Sequence, residues 1–191
     1  MTPFVRGPEP AILGRHRHKS AGFVERRREN PSAAFSWPEE NHESILPYVR
    51  EALEALTQSH CSYCDAFPID VSGKKEVDHF KPKSLFPEFV LDWLNLYVAC
   101  TACNDAKLAI WNELILRPDE PGYAFNRYFR VDALTGELHP NPIASTADQK
   151  RALETIRVLG LQRGGLCIDR RKHIAQSLSS QADPTRPYRF L

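Results

Sequence analysis

Two C-x-x-C pairs are the strongest chemical signal in the sequence: CSYC at 61–64 and CTAC at 100–103. Each short spacing lets two sulfur atoms bind one ion, and Zn²⁺ favours a closed tetrahedral site of four thiolates. The sequence therefore predicts a structural zinc ion. The predicted ligands are Cys61, Cys64, Cys100 and Cys103. The alternatives are two unrelated pairs or one redox pair, although we find no βαβ pattern of the kind that carries a redox pair.

The segment between the pairs contains VDHFKPKS at 77–84, in which an aspartate precedes a histidine. Neighbouring residues of a strand point to opposite faces, so Asp78 and His79 either have separate roles or lie at a strand end where the chain twists. Hard cations such as Mg²⁺ take oxygen ligands, which Asp78 and Asn104 could supply. His79 would then be free to act as a general base, because the pKa of histidine lies near neutrality. Taken alone, a histidine is more often structural, and Asn104 could be a helix cap.

The composition is that of an ordinary globular protein. The chain has 191 residues, of which 42% are hydrophobic and 26% are charged, enough for one elaborated domain or two very small ones. The net charge of +1 does not by itself indicate nucleic acid. No apolar run is long enough to cross a membrane, and the N-terminus lacks the apolar segment of a secretory signal. These features predict a cytoplasmic protein without membrane contact.

Periodicity and turn signals predict the elements that position these residues. They are a helix at about 44–57, a short strand in KEVDHF, a helix from 101 to about 112 capped by Thr101, a hairpin in YFRVDALTGELHP, and helices at 145–159 and 166–180. We expect a basic N-terminal arm at 1–42 that is extended and possesses short ordered pieces. A core at 43–117 and a C-terminal extension at 118–191 would pack together as one domain.

The ordered motifs resemble those of the HNH endonucleases with a ββα-metal, or His-Me finger, site. The matching set is Cys61-x-x-Cys64, Asp78-His79, Asn95, Cys100-x-x-Cys103-Asn104 and Lys107. It corresponds to the variant of the H-N-H motif in which the final histidine is replaced by asparagine, here Asn104. The segments VDHFKPKS and LDWLNLYVACTACN are similar to those of the HNH component of Septu and retron-linked anti-phage defence systems. The opening GPEP and the late VLGLQRGGL are also similar, so the resemblance extends over nearly the whole chain.

The resemblance implies a role for each matching position. His79 would be the general base that deprotonates the attacking water. Asp78 and Asn104 would bind one catalytic Mg²⁺ or Mn²⁺, and Asn95 would order the loop that holds the base. The four cysteines would form the structural zinc site. Asn95 could alternatively be a simple turn residue.

Basic residues beside these motifs are candidates for nucleic-acid contact. Lys81 and Lys83 lie two and four positions after His79, and Lys107 falls one helical turn after Asn104. We expect them to contact phosphates, with solvated surface charge as the alternative. The run RRR at 26–28 is compatible with nucleic-acid contact, partner contact or an ordinary surface.

Together these features predict an α+β protein with a zinc-stapled ββα-metal core, flanking helices and an extended N-terminal arm. The implied function is metal-dependent cleavage of nucleic acid, with DNA favoured, as the effector of an anti-phage complex. The implied partner is an ABC/SMC-like ATPase. The alternatives are a catalytically silent zinc module that binds nucleic acid or the ATPase, and a nuclease that cleaves RNA such as transfer RNA, since no residue separates the two substrates.

Overall fold

The computed structural model describes residues 1–70, 74–177, 185 and 187–191. Its α-helices are Ala11–His16 (α1), Lys19–Glu29 (α2), Leu46–Thr57 (α3), Thr101–Lys107 (α4), Phe125–Tyr128 (α5), Thr146–Val158 (α6) and Gly164–Ser177 (α7), and two short 3₁₀ helices are Pro87–Phe89 and Trp93–Asn95. Its strands form antiparallel pairs: Glu39–Glu40 (β1) with Glu43–Ser44 (β2), Lys75–His79 (β3) with Leu96–Cys100 (β4), and Phe129–Val131 (β5) with Leu138–Pro140 (β6). The mixed helix and strand class is confirmed.

The β3–β4 pair and α4 form the centre of the fold. Lys75 pairs with Cys100 and His79 pairs with Leu96, and α4 begins at the residue that follows β4. All five residues of β4 are buried, because α3 packs against this strand and its sequence, LYVAC, is apolar throughout. The predicted strand in KEVDHF is thus paired with a buried strand, and α4 follows that second strand directly in sequence.

The predicted helix after the second cysteine pair is shorter than expected. It ends at Lys107 instead of about Asn112, because Leu108 has φ +49° and ψ −131°, which is not a helical conformation. Thr101 is the first helical residue and not the cap. Its hydroxyl donates a hydrogen bond to the Lys74 carbonyl over 2.8 Å.

The N-terminal arm is more ordered than its sequence predicts. It contains α1 and α2, and Leu13 and Phe23 from these helices are buried in the core. Nearer the N-terminus, the Arg6 guanidinium lies 2.9 Å from the Asp119 carboxylate and donates to the Leu96 carbonyl over 2.8 Å. Side-chain contacts therefore cross the predicted boundaries of the arm, and the division into segments remains a prediction.

The remaining predicted elements agree well with the structure. Helix α6 begins after Ser145, whose hydroxyl accepts from the Asp148 amide over 3.1 Å. The Asp148 carboxylate pairs with Arg127. The last helix begins at Gly164, two residues before its predicted start, and the predicted span 178–180 lies outside the described residues. In the described part of the chain, no helix has the length and apolar character needed to cross a membrane.

The β5–β6 hairpin is fixed to α7 by a very close backbone approach. Gly136 has φ +73°, and a Cβ atom there would lie 2.0 Å from the Cys167 carbonyl oxygen. The buried Arg170 guanidinium donates to the Gly136 carbonyl over 2.6 Å and also to the Leu161 carbonyl. Only glycine fits this conformation and this contact.

We therefore expect Gly136→Ala to destabilise the fold by about 3 kcal/mol, since it adds backbone strain to a steric clash. Gly164→Ala is the matched control, because no atom lies within 4 Å of the added Cβ, and it should change stability by less than about 0.5 kcal/mol. Urea denaturation measures both. Equal stability of the two variants would contradict the hairpin–helix contact.

Candidate active site and metal centre

The four cysteines of the two pairs meet in one buried cluster. Their sulfur atoms all lie within 4.8 Å of one another, and the Cys64 and Cys100 sulfurs are 3.8 Å apart. A tetrahedral zinc ion with Zn–S bonds of about 2.3 Å would separate its sulfur ligands by about 3.8 Å. The cluster therefore fits zinc in both donor type and spacing. Four protein ligands leave no open position, which is the arrangement of a structural site.

An arginine from the C-terminal region reaches this cluster. The Arg163 guanidinium donates to the Cys103 sulfur over 3.3 Å and to the Leu159 carbonyl over 3.0 Å. Four thiolates around Zn²⁺ carry a net charge of −2, so a nearby cation stabilises the loaded site. The sequence motif gave no indication of this residue, because Arg163 lies 60 positions after Cys103.

Asp78 is held by two buried side chains. The Lys107 ammonium lies 3.0 Å from one of its carboxylate oxygens and 3.1 Å from the other, and the Tyr63 hydroxyl donates to it over 2.5 Å. Burial and the Asp78 charge raise the pKa of Tyr63 well above its usual value, so the phenol keeps its proton. A carboxylate has about four lone-pair sites, so Asp78 retains capacity for a metal ion.

His79 has one ring nitrogen fixed by the backbone. Its Nε2 lies 3.0 Å from the Val90 carbonyl oxygen, and because a carbonyl only accepts, Nε2 carries the proton in the neutral ring. Nδ1 is then the basic nitrogen. Burial, reinforced by the charge of Lys83, lowers the pKa of His79 from 6.5 to about 4. The imidazole is therefore neutral at pH 7, as a general base must be.

Two aromatic residues of the N-terminal arm cover the His79 ring. The Trp37 ring stacks on it with centroids 5.9 Å apart, and the Phe35 ring meets it edge-on at 5.6 Å. Phe35 is in turn packed against Phe23 of α2, with centroids 5.3 Å apart. The arm thus contributes much of the apolar environment that buries this histidine.

Asn95 ties together the loop that follows β3. Its Oδ1 accepts from the Lys81 amide over 2.7 Å, and its Nδ2 donates to the carbonyls of Lys81 and Phe89, each over 3.1 Å. The side chain is buried. These hydrogen bonds connect the two ends of the loop between Lys81 and Phe89. Val90, whose carbonyl contacts His79, follows this loop directly, so Asn95 is well placed to order it.

One cleft brings together three of the four predicted catalytic residues, and Asn95 lines a separate cavity instead. The cleft has a volume of about 380 Å³, and Asp78, His79, Lys83 and Asn104 contribute to its lining. The Asn104 amide nitrogen donates to the Glu76 carboxylate, which leaves the Asn104 amide oxygen as a donor for a hard cation. Asp78 and Asn104 therefore fit a catalytic Mg²⁺ or Mn²⁺ by donor chemistry.

Residues 61–109 match the family model of the HNH endonucleases. This segment is similar to an HNH endonuclease domain. This match covers both cysteine pairs and the cleft residues, so the resemblance drawn from the motif is confirmed for this part of the chain.

Three curated relatives extend the comparison beyond the HNH domain. The Septu protein PtuB of Bacillus thuringiensis is 38% identical over 61 residues, which cover 32% of this chain and 24% of the relative. The Retron Vc95 putative HNH endonuclease of Vibrio cholerae serotype O1 biovar El Tor is 27% identical over 143 residues, or 69% and 66% of the two chains. The Septu protein PtuB of Bacillus mycoides (strain KBAB4) is 26% identical over 120 residues, or 54% and 40%. The aligned regions thus span from about a quarter to two thirds of these relatives' lengths.

Two of the three lysines that were predicted to contact phosphates lie outside the cleft. Lys107 is fully buried and also donates to the His79 carbonyl over 2.8 Å, so its ammonium cannot reach a phosphate and serves the fold instead. The Lys81 ammonium lies 4.5 Å from the ring centroid of Phe89 and 5.3 Å from that of Trp111, in a cavity separate from the cleft. Lys83 alone of the three lines the cleft, and its phosphate contact remains a prediction.

Several residues around the cleft were missed by the sequence reasoning. Tyr63 lies inside the first cysteine pair, and Glu76 lies two positions before Asp78 on the same strand face. Both positions could have been identified from their spacing in the sequence. Phe35 and Trp37 had no such signal, because their contact with His79 joins segments more than 40 residues apart. Of the 26–28 run, Arg27 donates to the Ser84 carbonyl over 3.1 Å, which joins α2 to the loop after His79.

We predict that freshly purified protein contains about one zinc ion per chain and that Cys103→Ser lowers this content. Arg163→Met should still load zinc but release it to a competing chelator about ten-fold faster, because the charge beside Cys103 is lost. Arg157→Met is the matched control, since its guanidinium pairs with Glu154 at the surface. Zinc release is followed with a colorimetric chelator, and wild-type release by Arg163→Met would contradict the stabilising role.

We predict that Lys107→Met destabilises the zinc-loaded protein by about 3 kcal/mol, because Asp78 becomes a buried carboxylate without its counter-charge. The double variant Lys107→Met with Asp78→Asn should be less destabilised than the single variant, since a neutral amide needs no cation. Urea denaturation of wild type and the three variants gives the coupling energy. Additive effects would show that the pair does not act as a unit.

Proposed function

We propose that this chain is a metal-dependent endonuclease that hydrolyses phosphodiester bonds, with DNA as the favoured substrate. The observation that carries the proposal is the cleft of the HNH domain. It combines a neutral histidine whose Nδ1 is the basic atom with two oxygen donors suited to a cation, Asp78 and Asn104. A base and a cation site in one cleft are what phosphodiester hydrolysis requires.

In the proposed mechanism, His79 acts at Nδ1. This nitrogen accepts a proton from the attacking water, while the Nε2 hydrogen bond to Val90 keeps the ring in one tautomer and one orientation. Asn95 holds the backbone around this contact. The positive charge of Lys83, which lines the cleft, attracts the substrate phosphate. A cation bound by Asp78 and Asn104 would supply Lewis-acid stabilisation of the scissile phosphate and the leaving oxygen.

We further propose that the nuclease is the effector of an anti-phage defence complex. Two of the relatives are named Septu proteins and a third is named a retron HNH endonuclease, which supports this biological role. The proposed partner is an ABC/SMC-like ATPase that controls cleavage. The near-neutral charge of the chain is compatible with a nuclease that gains substrate affinity from a complex.

The proposal predicts that supercoiled plasmid is cleaved in Mg²⁺ or Mn²⁺ and that His79→Ala lowers the rate by about 10²–10⁴-fold, because the water loses its base. Asn104→Ala should lower the rate while leaving the zinc content unchanged. His139→Ala is the matched control, since this exposed histidine lies on β6. Each protein is assayed with and without the candidate ATPase.

The same assay separates the competing functions. Equal cleavage by wild type and His79→Ala would remove this histidine from the mechanism. Preferential cleavage of transfer RNA over plasmid would replace DNA as the substrate. A zinc-loaded protein that cleaves neither, with or without the ATPase, would instead be a silent zinc module.

A further inference from the structure

A tight turn directly after α4 contains a leucine in a conformation that favours glycine. The Ile110 amide donates to the Lys107 carbonyl over 3.0 Å, which closes a β-turn with Leu108 at its first central position. The Leu108 dihedrals, φ +49° and ψ −131°, are those of a type II′ turn. Glycine dominates this position because a Cβ atom is strained there.

Burial does not offset this strain, because Leu108 is 68% exposed. In the described part of the chain, the other non-glycine residues with positive φ are polar, apart from Tyr188, which is buried at 1% exposure. Leu108 thus combines an unfavourable backbone with an unburied hydrocarbon side chain, a combination that folding alone does not favour.

The position of this leucine indicates what it could contact. Leu108 lines the same cleft as Asp78, His79 and Lys83. Its amide donates to the Asn104 carbonyl over 2.9 Å, so the turn is held in a fixed position relative to the candidate metal donor. An exposed apolar side chain on a fixed backbone turn therefore lies at the candidate reaction centre, in the cleft that Lys83 also lines.

We propose that Leu108 is an apolar wedge that inserts between stacked bases of the nucleic acid bound in the cleft. This inference rests on the proposed nuclease function and adds a substrate contact to it. Proteins that distort nucleic acid commonly insert a leucine or a similar side chain at a base step, while cationic groups hold the backbone. Nucleic acid is favoured over a protein partner because the wedge shares its cleft with the proposed catalytic groups. Insertion would open the stack beside the scissile phosphate.

The test uses the full chain with His79→Ala, so that the probe is bound without being cut, and a DNA duplex that carries 2-aminopurine. Unstacking raises the fluorescence of this base. Adding Leu108→Ala or Leu108→Gly should abolish most of the rise and weaken binding about ten-fold. Leu108→Gly should also raise the melting temperature, because glycine relieves the strain, whereas Leu108→Ala retains it.

Leu134→Ala in the same His79→Ala background is the matched control, because Leu134 is 83% exposed and lies in the β5–β6 turn, away from the cleft; it should retain the full fluorescence rise. An undiminished rise with Leu108→Gly would overturn the wedge. So would a loss of ATPase association with Leu108→Gly while the rise persists, which would make Leu108 a protein contact. Cleavage by the wild type separates the failure of the wedge from the failure of the nuclease function. If the wild type cuts plasmid and the Leu108 variants still unstack the bases, the nuclease function is supported and the wedge is refuted. If the wild type neither cuts nor binds nucleic acid, both proposals fail.

Discussion

The buried ammonium of Lys107 is the contact on which the geometry of the cleft depends. It lies at the last residue of α4 and is surrounded by the Asp78 carboxylate and the His79 carbonyl, so it joins the helix to the strand that carries both proposed catalytic residues. An ammonium without solvent is stable only where oxygen atoms replace its water. The same contact fixes the end of α4, after which the chain turns at Leu108.

The zinc site and the cleft lie at opposite ends of one small unit. The strand register places Lys75 beside Cys100 and His79 beside Leu96, which separates the cysteine cluster from His79 by about 13 Å along the strands. The cysteines hold the start of α4 and Lys107 holds its end. A zinc ion bound by the cysteines at one end would, together with the buried ion pair at the other, keep a short helix rigid, although seven residues would not form a stable helix alone.

The N-terminal arm is part of the active-site environment. Phe35 and Trp37 cover the His79 ring, and Arg27 bonds to the loop that follows it. Burial lowers the pKa of His79, and a segment outside the HNH match contributes to that burial. An HNH domain cut out of this chain would lose that environment.

The sequence by itself predicted the residues of the candidate site and determined most of its local elements. The two cysteine spacings, the Asp78–His79 pair and the apolar periodicity all act over a few residues, and such short-range patterns are legible in a linear chain. Tertiary structure decided which charges are buried and which are exposed. Lys107 and Lys83 are the same residue type near the same motif, yet one is a buried structural cation and the other lines the cleft. That difference arises from packing between segments distant in sequence, as do the aromatic cover of His79 and the Arg163 contact with Cys103, and no local pattern encodes it.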